Sequence, residues 1–196
     1  MTDRTAETFP TWPLQRMALA GMAALMLAAC ATGPKTYDVK GEAAPLVNRD
    51  TGGKSLSVAV RIYQLKDAAE FSKLTFDTVA GGRPESELLG QDLLSQNEII
   101  MVPSGKQTLS DKLLDSTKYI GIVGLFRQPD ANFWRFLIDA EKIRDGGLAF
   151  KVQDCYLVVL NPKPVPIPGQ PANAAPACHE TERMSSATSA RGNRKQ

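Results

Sequence analysis

The chain has 196 residues, with 23 Lys and Arg against 21 Asp and Glu and a formal net charge of +2. The balance is close to neutral and the basic residues are scattered, which argues against a nucleic-acid partner. The length beyond a leader is enough for one domain with a real core.

A hydrophobic run from about Met17 to Ala29 follows Arg4 and Arg16 and ends in Leu27-Ala28-Ala29-Cys30. A positive start, a short apolar run and small residues at a cleavage point describe a secretory signal over residues 1–29. The run is short of the ~18–20 apolar residues that a membrane span needs. Ending on Cys30, it resembles the lipobox of bacterial lipoproteins, whose cysteine is acylated, palmitate among its chains, and becomes the mature N-terminus. More than one acyl chain gives stable anchoring. Residue 31 is alanine and not the aspartate that commonly retains lipoproteins at the inner membrane. By that analogy the destination is the outer membrane, facing the periplasm. Residues 30–36, with Thr32, Gly33 and Pro34, form a lipidated tether.

A first strand is expected over 37–43, weakened by Gly41. Asn48, Arg49, Asp50, Thr51, Gly52, Gly53 and Lys54 then form a loop, through Asx turns and glycines that accept positive φ. The clearest strand follows. Leu56, Val58, Val60 and Ile62 alternate with Ser57, Ala59, Arg61 and Tyr63, so Arg61 and Tyr63 are expected on the outer face.

The period changes at Asp67-Ala68-Ala69-Glu70, which has the form of a capping box, with Phe71 and Leu74 at helical spacing. A second short helix is expected over 83–90, with Pro84 in its first turn and Gly90 as its stop. Residues 67–94 are thus a helical insertion that covers an edge or end of a sheet. Strands resume at 98–102, 107–113, 119–127, 133–139, 148–152 and 156–161. Turns lie at 103–106, 129–132 and 146–147. Trp134 is expected in the core with Phe136 and Ile138, in preference to a role as interface anchor. Arg61, Arg127 and Arg135 are read as exposed strand charges sooner than as partner contacts. Eight short strands in this order argue for an all-β sandwich over 37–161. Five prolines between 162 and 171, then Ala, Ser, Thr and charge, make 162–196 a disordered tail.

The oxidising periplasm allows Cys155 and Cys178 to pair, closing a loop worth ~3 kcal/mol in the chain-entropy model. Two independent thiols, one in a strand and one in a loose tail, are the other reading. The sole histidine, His179, lies in that tail, where no fold holds a catalytic base. Cys178-His179-Glu180 are consecutive and converge poorly on one metal. Asp139 and Glu141 read as solvated turn charges. No phosphate loop or nucleophile elbow is present, so no catalytic residue, metal or cofactor is expected.

The ordered set resembles a known family. It comprises the lipobox, the polar loop after Val47, Val58-Ala59-Val60-Arg61-Ile62-Tyr63-Gln64-Leu65-Lys66, a Phe-bearing insertion and Leu89-Gly90. Glu98-Ile99-Ile100-Met101-Val102-Pro103-Ser104-Gly105, residues 119–127 and Trp134-Arg135 complete it. Together these resemble the TssJ family, outer-membrane lipoproteins of type VI secretion systems, over residues 28–161. The resemblance implies a transthyretin-like sandwich with a helical addition. It also implies binding to the periplasmic domain of TssM, within a complex containing TssL. In the family, the loop joining the first two strands takes part in that contact; here it is residues 48–54, although Asn48-Arg49-Asp50 departs from the Asn-Pro-Asp-like opening of relatives. The function implied is structural anchoring of the secretion complex. A periplasmic carrier with a small-molecule cavity in the sandwich is the alternative, and a hydrolase is disfavoured.

Overall fold

A computed structural model of the chain describes residues 35–144, 146–171 and 174–178. The expected signal segment 1–29, Cys30 and His179 lie outside the described residues. The elements are β1 (Thr36–Ala43), β2 (Val58–Leu65), α1 (Ala69–Lys73), α2 (Phe76–Ala80), α3 (Glu85–Leu89), β3 (Leu93–Met101) and β4 (Lys106–Lys112). They continue with β5 (Tyr119–Leu125), β6 (Arg135–Asp139), α4 (Ala140–Ile143), β7 (Leu148–Val152) and β8 (Leu157–Asn161).

The eight strands form two four-stranded sheets, ordered β4-β1-β7-β8 and β3-β2-β5-β6. β1 pairs in parallel with β7, whereas the other neighbours are antiparallel. The two sheets make an all-β sandwich. Its core follows from strand alternation: Val58, Val60 and Ile62 of β2 are buried with Ile120 and Ile122 of β5 and with Val39, Leu148 and Phe150 opposite. At Gly41 a Cβ would lie 2.7 Å from the ring of Phe150 on the neighbouring strand β7 and 3.0 Å from the sulfur of Met101 in the other sheet.

The helical insertion departs from expectation in place and in detail. It lies on the outer face of the β3-β2-β5-β6 sheet instead of an edge or end. Tyr63, Gly121 and Leu137 are cross-strand partners on that face. The Phe71 ring rests on Gly121, where a Cβ would come within 2.5 Å of it. Tyr63 is consequently buried, packed edge-on to Phe71 at 6.3 Å, not exposed as alternation alone suggests. The insertion holds three short α-helices and a 3-10 turn at Gly90–Asp92 instead of two helices, and it ends at Asp92, because β3 begins at Leu93 beside Leu65, just past a bulge in the pairing.

No capping box forms at residues 67–70. Asp67 accepts from Ala69 N–H in an Asx turn, and Glu70 is engaged by Lys73 at 2.7 Å. The capping box occurs instead at Thr75 and Thr78, opening α2. Trp134 is buried, but it lies just before β6 and packs edge-to-face on Phe76 of α2 at 5.4 Å. Arg135 is no exposed strand charge. Its guanidinium donates to the carbonyls of Phe71 (2.6 Å) and Ser72 (3.1 Å), fixing the end of α1, and stands over the Trp134 ring at 4.9 Å. Burial holds its pKa below the ordinary value.

The tail reading is corrected for the residues described. Residues 162–171 run beside β6 as an ordered cover. Val165 N–H donates to Leu137 at 2.7 Å, Ile167 is buried, and the Gln170 amide donates to the carbonyls of Asn132 and Arg135. Prolines cannot extend a sheet, but a segment that pairs through a single N–H, that of Val165, suits a strand edge and blocks further pairing there. Residues 179–196 lie outside the described residues.

Candidate partner-binding surface

One end of the sandwich gathers the connections between paired strands. β1 leaves the first sheet at Ala43, and residues 44–57 carry the chain across to β2 in the second. The turn after β3 joins it there: Ser104 N–H donates to the Ala44 carbonyl, and Ala43 N–H donates to that of Gly105. The β5–β6 loop and the tip of the β7–β8 hairpin complete this end.

Residues 48–54 divide into a fixed root and an exposed tip. Asn48 is buried and adopts φ +48°, a left-handed conformation that asparagine tolerates better than most residues. Its amide donates to the Ser57 carbonyl at 2.7 Å and its side-chain oxygen accepts from Arg127 N–H at 2.7 Å. Its own N–H donates to the Asp154 carbonyl at 2.6 Å. Asn48 is therefore a latch between β2, the β5–β6 loop and the β7–β8 hairpin, and is not presented to a partner. Arg49 makes a two-pronged pair with the Asp154 carboxylate, with Nε 3.0 Å from one oxygen and its terminal nitrogen on the other. Such bidentate pairs fix orientation as well as charge.

Asp50 organises the tip. Its Oδ1 accepts from Gly52 N–H (2.9 Å) and Lys54 N–H (3.0 Å), while its backbone N–H donates to the Lys54 carbonyl. Gly53 takes φ +82° to close the turn. Thr51, Gly52 and Lys54 are left exposed. Leu46, just before the loop, is also exposed at 57%, as are Ile100 at 49% and Val102 at 45% on β3 and beyond it. This end thus offers a small polar tip on a rigid base, with apolar side chains nearby. Such a mixture suits protein contact.

The remaining candidates serve structure. Cys155 and Cys178 are joined by a disulfide with Cα atoms 5.7 Å apart. Arg61 is paired with Glu85 of α3 (2.6 Å) and Glu98 of β3 (2.9 Å). Asp139 caps α4 by accepting from Glu141 N–H. Two residues that sequence reasoning passed over matter here. Asp154 holds the loop root. Asp130, buried, accepts from Asn132, Phe133 and Ala177 N–H groups. The sequence signals were the adjacency of Asp154 to Cys155 and the place of Asp130 in the 129–132 turn.

The family described as T6SS-SciN, Type VI secretion lipoprotein, VasD, EvfM, TssJ, matches residues 35–155. The chain belongs to this type VI secretion lipoprotein family. The match spans β1 to the tip of the β7–β8 hairpin, so β8 and Cys178 lie beyond it. Solved structures agree. The lipoprotein is 27% identical to a chain in the structure described as T6SS protein TssM C-terminal domain (869–1107) from EAEC, with a TM-score of 0.58 over 65% of this chain and 99% of that one. It is 29% identical to a chain in a structure described as a Type VI membrane complex, TM-score 0.59, over 65% and 99%. It shares its fold with the T6SS lipoprotein TssJ1 from Pseudomonas aeruginosa, at 22% identity and TM-score 0.56 over 69% and 100%. No curated protein sequence matches the chain. Among the described residues, no helix is long and apolar enough to cross a membrane.

Proposed function

We propose that this lipoprotein is a non-catalytic anchor that ties the type VI secretion membrane complex to the outer membrane. Acylated Cys30 holds it in the periplasmic leaflet, and the loop end of the sandwich binds the periplasmic domain of TssM, in a complex that also contains TssL. The observation that carries this reading is the polarity of the domain. Lys35 accepts from Leu113 at the start of β1, and residues 48–54 lie beyond the far end of that strand. Eight strand residues at ~3.3 Å each separate the two by roughly 25 Å. Thr51, Gly52 and Lys54 thus lie at the opposite end of β1 from Lys35, where the described chain enters the domain. Confinement of both partners to one envelope raises their effective concentration, so modest affinity suffices.

At two interior glycines, where a carrier's cavity would find the most room, side chains fill the space. Phe150 and Met101 fill the space at Gly41, and Phe126 and Leu157 fill it at Gly124. The test is fractionation of cells carrying wild type or Cys30→Ala, with TssM and TssL followed by immunoblot. Wild type is expected in outer-membrane fractions together with TssM; Cys30→Ala, which removes the acylation site and with it processing at the lipobox, is expected to be lost from those fractions. Cys30→Ala in the outer-membrane fraction, or wild type without TssM, contradicts the proposal.

A further inference from the structure

The C-terminal segment beyond the family match returns to the base of the candidate binding loop. Four contacts converge on two residues at the tip of the β7–β8 hairpin, which is closed by Gln153 N–H donating to the Tyr156 carbonyl. The Asp154 carbonyl accepts from Asn48 N–H and the Asp154 carboxylate holds Arg49, so both root residues of the loop are fixed by Asp154. The next residue, Cys155, is bonded to Cys178, and its carbonyl accepts from Asp130 N–H at 2.8 Å. Asp130 in turn accepts from Ala177 N–H at 2.8 Å, the residue before Cys178. The segment 174–178 is thus stapled twice, once covalently and once through a buried carboxylate, to the group that positions the loop.

We propose that residues 174–178 act as a strap whose purpose is to hold the 48–54 loop in one shape for its partner. The strap touches the hairpin tip, the tip touches the loop root, and the root sets the direction of Thr51, Gly52 and Lys54. Without the strap, the hairpin tip keeps only its contacts with Asp130, Asn48 and Arg49 beyond the paired strands, so it moves more freely, and Asp154 with it. A loop that visits its binding shape only part of the time binds more weakly in proportion to that fraction. The strap is a positioning device and supplies none of the contact itself. The link from loop order to affinity rests on the proposed TssM contact; the link from strap to loop order does not.

The test compares wild type, Cys178→Ser and Asp154→Ala, each as the full chain in detergent. Backbone amide exchange is read at residues 48–54, with Val39 and Leu109 in the β1–β4 pairing as an internal reference for global unfolding. Both variants are expected to speed exchange in the loop while the reference amides stay protected. Affinity for the periplasmic domain of TssM is expected to fall about tenfold if the bound shape drops to about a tenth of the population. Unchanged loop exchange in Cys178→Ser overturns the strap, whatever the affinity. Faster loop exchange with unchanged TssM affinity leaves the strap standing and overturns the assignment of the loop as the TssM contact. If Cys178→Ser also exposes the reference amides, Asp154→Ala, which leaves the disulfide in place, decides whether the hairpin tip governs the loop.

Discussion

The side-chain oxygen of Asn48 accepts a 2.7 Å hydrogen bond from the backbone N–H of Arg127, 79 positions along the chain. With the bond from its amide to Ser57, just before β2, this makes one side chain the joint between the start of the crossing segment, its end and the β5–β6 loop. Asn48→Ala leaves a backbone donor and a backbone acceptor without their partners and puts alanine at φ +48°. The expected loss is about 2–4 kcal/mol of unfolding free energy, measured by urea denaturation. A loss below about 1 kcal/mol would show that solvent replaces both bonds and that Asn48 is no latch.

Phe71 and Gly121 should be energetically coupled. Gly121→Ala drives a methyl to 2.5 Å from the Phe71 ring and should cost about 1–3 kcal/mol by overpacking. In a Phe71→Ala background the clash is gone and the same substitution should cost much less. A double-mutant cycle with an interaction term near zero would remove the insertion from the outer face of the sheet.

Much of the strand order was legible because alternation, turn residues and apolar faces agree along the chain. The faces were harder. Val58-Ala59-Val60-Arg61-Ile62-Tyr63 alternates as a half-buried strand should, and that period is silent on whether something covers the second face. The cover was encoded elsewhere, in Gly121 and in Arg135, whose cation is held by the helix that it fixes. Proline content misled for residues 162–171, because the one donor that matters, Val165 N–H, does not show in composition. The loop was visible as a loop, but its division into root and tip was not. That division depends on Asp154, more than a hundred residues later in the chain.

Tyr63 gives the fold an alkaline limit. Burial, with the Glu85 charge adding to it and Arg61 opposing, pushes its pKa from 10.0 up to about 12. The folded state therefore keeps a proton that the unfolded state releases. The contribution of Tyr63 is complete below pH 10 and is lost as pH rises from 10 to about 12, amounting to ~2–3 kcal/mol. Stability of Tyr63→Phe should fall less steeply than wild type across that window. Parallel curves would mean that Tyr63 ionises as freely in the fold as outside it.

The disulfide should contribute to stability as well as to loop order. It spans a sequence separation of 23, for which chain entropy gives about 3 kcal/mol. Cys178→Ser should lower the unfolding free energy by about that amount in non-reducing buffer. Dithiothreitol should lower wild type similarly and leave the variant unchanged.

The central claim is that the exposed tip of residues 48–54 is where a partner is held. It is tested most directly by the affinity of the full chain in detergent for the periplasmic domain of TssM, comparing wild type with the double variant Thr51→Glu, Lys54→Glu. Neither side chain supports the loop, whose turn depends on Asp50 and backbone groups, so folding should be unchanged. The account predicts at least a tenfold loss of affinity, on the order of 1.4 kcal/mol or more. Equal affinities for the two proteins would contradict it.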